Sequence, residues 1–373
     1  MPSDYGYLNA RIRGMKSRLF DRRLYSELLA KANLDDLLAS LAQTGYGDAF
    51  QAALSRHVAW DALRDGLRRD LTAALLKVRV MTMDEPDAEP ARLVSILLMR
   101  WDRRNLLAVM RMQYQGPEAT RALELLVPVG DVDEIALGEL LRQPNLRDAI
   151  DLAVTWGLPY GHGLRNAWPS FAETGNLAVL ESALDQRYAD LVGERLAALP
   201  PSASVSLVQR VLNWEFDTYN LLNVLRVWAA RRPGDPSGEE APAWYLRSPG
   251  ASPANGEKEG NAIPEAALAA AISSTEAAGV VASLADSPGI SSWLPSLTEW
   301  ADHGSLTALQ KALERRLTEM AVSLFHRDPL TAAPIIAFLW AKENEVRNLR
   351  LIGLVVGHDL PRERALEDMY VPW

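Results

Sequence analysis

The chain has 373 residues, 48% of them apolar and 23% charged, with a net charge of −9 at neutral pH. That is enough apolar mass for two or three cores, and an acidic chain is a poor match for nucleic acid, whose phosphates need a basic footprint. Cysteine is absent, which excludes disulfides, thiolate metal sites and a thiol nucleophile.

The opening MPSDYGYLNARIRGMKSRLF is charged throughout and lacks the apolar centre of a signal peptide. Nowhere does an apolar run reach the roughly 18–20 residues of a membrane span, so the expectation is a protein with no direct membrane span. Tyr5, Leu8, Ile12, Met15 and Leu19 step by three and four, which predicts one helical stripe. Arg11, Arg13, Arg18, Arg22 and Arg23 make this the sharpest charge cluster of the chain. Two readings stay open for it: a solvated helix face, or contact with the acidic or polar loops of a partner.

Helical periodicity continues along the chain, broken where Pro and Gly collect. DEPDAEP (84–90) separates two helical stretches, with Pro90 placed near the start of the second. ALPPSAS (198–204) makes a second break. The Gly161-His162-Gly163 run follows no strand and lacks the third glycine of a dinucleotide fingerprint, so it reads as a turn. The segment 232–264, RPGDPSGEEAPAWYLRSPGASPANGEKEGNAIP, reads as a flexible loop carrying an apolar island at Trp244, Tyr245 and Leu246 that docks locally. The eleven tryptophans, among them Trp60, Trp101, Trp156, Trp214, Trp228, Trp293 and Trp340, are read as core or interface fillers. Trp373 is either exposed or a pin for the tail.

One pattern recurs late in each third of the chain: WDRRNLLAVMR (101–111), FDTYNLLNVLR (216–226) and NEVRNLRLIGL (344–354). It reads acid-x-x-Asn-Leu, with an aliphatic residue four places after the Asn. The acids are Asp102, Asp217 and Glu345, the amides Asn105, Asn220 and Asn348, the leucines Leu106, Leu221 and Leu349. A buried, unpaired amide costs about 1–3 kcal/mol. Three at matching places therefore suggest one shared hydrogen-bonding role, with the acid on the same face joining the network. A helix–break–helix–turn block precedes each copy (24–50, 135–164, 267–294), and a further helix links the two (63–76, 184–196, 313–325). Three blocks in one order, three times over, predict three similar helical domains: 1–116, 117–232 and 233–373, the last containing the 232–264 loop. The expected fold class is all-α.

The opening YGYLNARIRGMKSRLFDRRLYSELL with LDDLLASLAQTGYGDAF resembles the start of the C subunit (also called the d subunit) of the V-type and A-type rotary ATPases. The family's pattern of Tyr-x-x-Ala-Arg-x-Arg, a leucine and a Thr-x-Tyr turn is matched by Tyr7, Ala10, Arg11, Arg13, Leu19, Thr44 and Tyr46. The acid-x-x-Asn-Leu copies and the tail LIGLVVGHDLPRERALEDMYVPW are also similar to the family, and the 232–264 loop departs from it. The resemblance implies three helical domains in a pseudo-threefold funnel, one copy per complex, on the cytoplasmic face of the membrane. It implies partners too: the proteolipid ring and central-stalk subunits of the D and F type. The implied role is torque transmission for ATP-coupled proton or sodium transport, with no catalysis and no cofactor.

The chemistry-bearing patterns point the same way. GxxxxGK[ST], HExxH and GxSxG are all absent. The five histidines fall in no close ligand cluster. A helical-repeat scaffold for soluble partners is the alternative reading, one in which each repeat would touch only its neighbours.

Overall fold

In a computed structural model the chain is described over residues 5–83, 88–115, 125–230, 246, 263–287 and 290–373. Among these residues the regular elements are helices and no strand occurs: the protein is all-α. It opens with α1 (Tyr5–Lys16), α2 (Arg22–Leu29), α3 (Leu34–Leu41), α4 (Gly47–Leu54), α5 (Ala59–Val80) and α6 (Glu89–Gln115). Next come α7 (Glu134–Arg142), α8 (Leu146–Thr155), α9 (Gly161–Thr174), α10 (Ala178–Ala197) and α11 (Ala203–Ala230). The last stretch holds α12 (Glu265–Ser273), α13 (Ala277–Ala285), α14 (Leu294–His303), α15 (Leu306–Ser323), α16 (Ala333–Gly357) and α17 (Arg362–Asp368). From α2 onward a succession recurs three times: three helices of 8–14 residues, one of 18–22, and one of 25–28. No helix among the described residues is long and apolar enough to cross a membrane.

Local signals explain many of the boundaries. Asp21, Asn33 and Asp133 cap α2, α3 and α7, each accepting from a backbone N–H three residues on, which satisfies donors that a helix start leaves orphaned. α9 and α14 end at Gly175 and Gly304, with φ of 66° and 72°, a conformation glycine adopts without penalty. Pro90 sits in the first turn of α6, where its missing N–H costs nothing. The Gly161–Gly163 run departs from its expected turn. It forms the first turn of α9, and a Cβ on Gly161 would come within 2.8 Å of the Ala153 backbone. The glycine there lets α9 approach α8 closely.

The chain gathers into two compact units, one of Met1–Ala149 with Ala321–Trp373, the other of Ile150–Met320. In the first, α16 is the central strut. It packs on α1, α2, α3, α5 and α17 and is buried almost all round, the pattern of a core helix rather than an amphipathic one. The stripe foreseen on the first segment buries Tyr5, Leu8 and Ile12, but α1 stops at Lys16, short of Leu19. Gln113 of α6 donates to the carbonyls of Leu140, Leu141 and Gln143 at 3.0–3.1 Å, covering the C-terminal end of α7. In the second unit the core is aliphatic and aromatic. Leu221, Val224 and Leu225 of α11 meet Leu268, Ile272, Val280, Leu284, Trp293, Leu297 and Trp300. Trp293, Trp300 and Trp340 are buried, while Trp156 is 46% exposed, a departure from its reading as a filler. The foreseen flexible loop lies outside the described residues over 232–262, apart from Leu246, which is buried. Trp244 and Tyr245 also lie outside them.

Candidate functional site

The residues of the recurrent motif all lie on the longest helices, α6, α11 and α16. Asp102, Asn105, Leu106, Asp217, Asn220, Leu221, Glu345, Asn348 and Leu349 are each at most 3% exposed. The leucines are core contacts. The amides bind backbone. Asn105 donates Nδ2 to the Val127 carbonyl at 2.8 Å and accepts the Val127 N–H on Oδ1 at 2.9 Å. Asn220 does the same with Leu246, at 2.9 Å in both directions. Asn348 donates to the Tyr370 carbonyl at 2.9 Å, and Asn344 donates to the same oxygen at 2.8 Å. The clamped residues lie 22, 26 and 22 positions downstream of the asparagines. Each long helix thus binds by its side-chain amide the backbone of a residue downstream of it, satisfying groups that no helix pairs.

The acids of the motif act differently from one another. Asp102 accepts the N–H groups of Asp131 at 2.8 Å and Val132 at 3.0 Å. Burial pushes its carboxyl up to about 7, against the pull of those two N–H groups, with the Asp131 charge raising it further and Arg79 lowering it. Arg79 holds the same loop from the other side, donating to the carbonyls of Val129, at 3.0 Å, and Gly130. A Cβ on Gly130 would collide with the Asp102 carboxylate. Asp217 is fully buried.

Glu345 is the centre of a buried charged network. It accepts the Phe20 N–H at 2.6 Å, the Tyr46 hydroxyl at 2.7 Å and the Lys342 ammonium at 2.7 Å. Lys342 also contacts Asp70 at 2.5 Å and donates to the Tyr46 hydroxyl at 3.0 Å. Burial pushes the Lys342 pKa down, but the charges of Glu345 and Asp70 outweigh it and hold the ammonium above its usual value. Burial raises Asp70 despite Lys342 and holds the Tyr46 phenol well above its usual range. The network ties α16 to α4, α5 and the turn between α1 and α2. Beside it, Glu343 of α16 pairs with Arg100 and Arg104 of α6, the latter at 3.1 Å. Burial raises Glu343, and the two guanidinium charges outweigh that and hold it below its usual value. Arg100 lies 3.9 Å over the Trp340 ring.

The five arginines of the first segment are all exposed. Three of them, Arg13, Arg18 and Arg23, line an open groove of about 890 Å³ together with Lys16, Asp21, Glu27 and Trp373. Arg11 and Arg22 lie outside it. Arg11 sits 5.6 Å from the Tyr7 ring, and Arg23 pairs with Glu27 at 2.9 Å. Trp373 pins the tail here: its indole donates to the Phe20 carbonyl at 3.2 Å, and Lys16 lies 4.9 Å over its ring.

Several of these residues lack a sequence signal of their own. Lys342 and Asp70 sit among ordinary helix-face charges. Gly130 reads as one more loop glycine. Asn9, which donates to the Pro329 and Thr331 carbonyls at 2.6 and 2.8 Å, belongs to no recurrent pattern. Within the Lys342 network, Tyr46 carries a mark as a residue of the family resemblance and Glu345 as the acid of the recurrent motif.

Helices braced by internal clamps and buried ion pairs, with the arginine-lined groove at the surface, define an all-helical protein. The chain matches the ATP synthase (C/AC39) subunit family over residues 8–367, and it belongs to that family. It is 28% identical to the C subunit of the V-type ATP synthase of Deinococcus radiodurans, over 99% of this chain and 92% of that protein. It is 24% identical to the C subunit of the A-type ATP synthase of Methanocaldococcus jannaschii, over 93% of this chain and 82% of its relative. The corresponding A-type protein of Halobacterium salinarum is 25% identical over 94% and 93%.

Proposed function

We propose that this chain is the non-catalytic central-stalk subunit of a rotary V/A-type ATPase, peripheral on the cytoplasmic face of the membrane. It links the shaft, built from D- and F-type subunits, to the proteolipid ring and carries torque for ATP-coupled proton or sodium transport, one copy per complex. The observation that carries this reading is the family match over residues 8–367, with relatives that bear the C-subunit name in bacterial and archaeal ATP synthases.

The physical properties favour a load-bearing part. Close-packed helical interiors have low compressibility and transmit strain. The amide clamps and the Lys342 network fasten loops to long helices at several points. The succession of short, long and longest helices supports three copies of one fold, at 1–116, 117–232 and 233–373, arranged as the funnel that the resemblance implies. Arg13, Arg18 and Arg23 offer a basic groove to a partner, with Arg11 and Arg22 on the flanking surface.

The test is an affinity pull-down of the tagged chain from its native membranes in mild detergent, read by mass spectrometry. Recovery of a proteolipid and two central-stalk subunits, with this chain at near one copy per complex, is expected. Recovery of soluble partners alone, with motor subunits present in the input, would overturn the proposal in favour of a soluble scaffold.

A further inference from the structure

A second concavity lies in the unit formed by Met1–Ala149 and Ala321–Trp373, away from the basic groove. It has a volume of about 570 Å³ and lies at the crossing of α5 and α16. Gly353 and Gly357 bring the two helices together, since a Cβ on either would run into Leu63 or Trp60. Trp60 stacks on His358 with ring centroids 5.2 Å apart, which holds the indole as one wall. Leu63, Leu125, Leu351 and Leu354 make up the rest of the apolar lining. Leu125 is 53% exposed and Leu354 44%, so apolar surface is open at the rim.

Three guanidinium groups enter this lining, from Arg64, Arg68 and Arg350. Arg64 pairs with Asp61, and Arg68 with Asp65 at 2.7 Å. Arg68 also donates to the Leu126 carbonyl at 3.3 Å. Arg350 differs. Among the described residues no carboxylate pairs with it, and its charged neighbour is another cation, Arg347. It is exposed, yet enough protein surrounds it to push its pKa below the usual value, desolvation first and Arg347 second. An arginine left without a partner beside apolar surface loses hydration with no compensating charge, and an incoming carboxylate would repay both. Trp60 and Arg350 are also of the residue types that anchor interface hot spots.

We propose that this cavity receives a segment of another protein subunit in which an Asp or Glu lies next to branched or aromatic apolar side chains. The carboxylate pairs with Arg350, and the apolar side chains cover Leu125, Leu351 and Leu354. A single unpaired guanidinium in a leucine-rich lining suits one carboxylate on an apolar stretch better than a polyanion, which calls for several free cations. The inference rests on the chain being one subunit of a larger complex, as proposed above.

The test uses the full complex isolated from native membranes, with the chain carrying Leu354→p-benzoylphenylalanine as a photocrosslinker. On irradiation one adduct to another subunit is expected, mapped to a peptide with Asp or Glu within about four residues of Leu, Ile or Phe, one helical turn. Adding Arg350→Glu should cut the adduct about tenfold, and Arg350→Lys less, because lysine keeps the charge but loses the bidentate fork. The melting temperature should not fall in either variant, since Arg350 makes no ion pair among the described residues. Four outcomes would overturn the proposal: an adduct to lipid, an adduct to residues 116–124 of this same chain, an adduct to a segment without an acid, or one indifferent to Arg350→Glu. Absence of any adduct from a complex that still assembles would overturn it too. If the unmodified chain brings down no other subunit, the proposed function itself fails along with this site.

Discussion

The acid of the recurrent motif has opposite surroundings at the two ends of the chain. Asp102 forms no ion pair among the described residues. It is buried against the backbone of the loop it holds, and its carboxyl is pushed up to about 7. Glu345, one methylene longer, reaches Lys342, Tyr46 and the Phe20 N–H and sits in a charge-compensated network. The same place on a repeated helix can thus carry either a desolvated acid or a paired one. What decides is whether the surrounding helices supply a cation at bonding distance. The asparagine three residues on does not vary in this way: at all three sites it binds backbone of the downstream segment. The invariant device is neutral and local to the motif, whereas the charged one depends on its neighbourhood.

Breaking the charged side of this comparison should have the largest effect. Lys342→Met leaves Asp70 and Glu345 buried without their cation, a loss of about 3–5 kcal/mol. It should appear as a large fall in the urea midpoint, partly restored by adding Glu345→Gln. A midpoint unchanged by Lys342→Met would mean the network contributes nothing net.

The second test uses pH, to which the Asp102 end should respond. Its folded pKa, about 7, is raised above the ordinary 3.8. The contribution to stability is therefore fully present below about pH 4 and is lost as pH rises through about 7, on the order of 4 kcal/mol over that window. Denaturation curves at about pH 5 and about pH 8, on either side of the folded pKa, should show the wild type weaker at the higher pH. Asp102→Asn should remove most of that difference. An equal pH dependence in both proteins would show that Asp102 is not the titrating group.

Gly130→Ala tests the geometry rather than the charge. Its Cβ would push the Asp102 carboxylate away from the Asp131 and Val132 N–H groups, leaving buried donors unpaired at about 2 kcal/mol. The loss should shrink when the change is made in an Asp102→Ala background, because the two changes act through one contact. Independent, additive losses in a denaturation cycle would refute the coupling.

The smallest effect on stability belongs to the exposed arginines. Arg13→Ala, Arg18→Ala and Arg23→Ala should leave the melting temperature within experimental error, since exposed charges at a surface contribute little to folding. The triple variant should nonetheless weaken recovery of partner subunits at low salt, and the deficit relative to the wild type should shrink as salt screens the contacts these arginines make. Undiminished recovery would assign these arginines to a solvated face.

The sequence by itself was sufficient for the helical class, for many of the breaks and for the repeated motif. All three are written in short-range terms: a 3.6-residue apolar period, proline and glycine at helix ends, and matching residues at matching offsets. It was also sufficient for the family, since the opening and the motif copies carry that pattern in consecutive residues. It could not identify which residue each asparagine binds, because the partner lies 22–26 residues on, beyond the helix that carries the amide, and no local period or spacing links the two. Nor could it separate Lys342 and Asp70 from other helix charges, or Arg13, Arg18 and Arg23 from Arg11 and Arg22. Those distinctions depend on which faces pack together. Tertiary structure alone also decided that residues 321–373 join residues 1–149 in one compact unit. Burial is a property of three-dimensional neighbours, and a charge or an amide acquires its meaning only when packing removes the water around it.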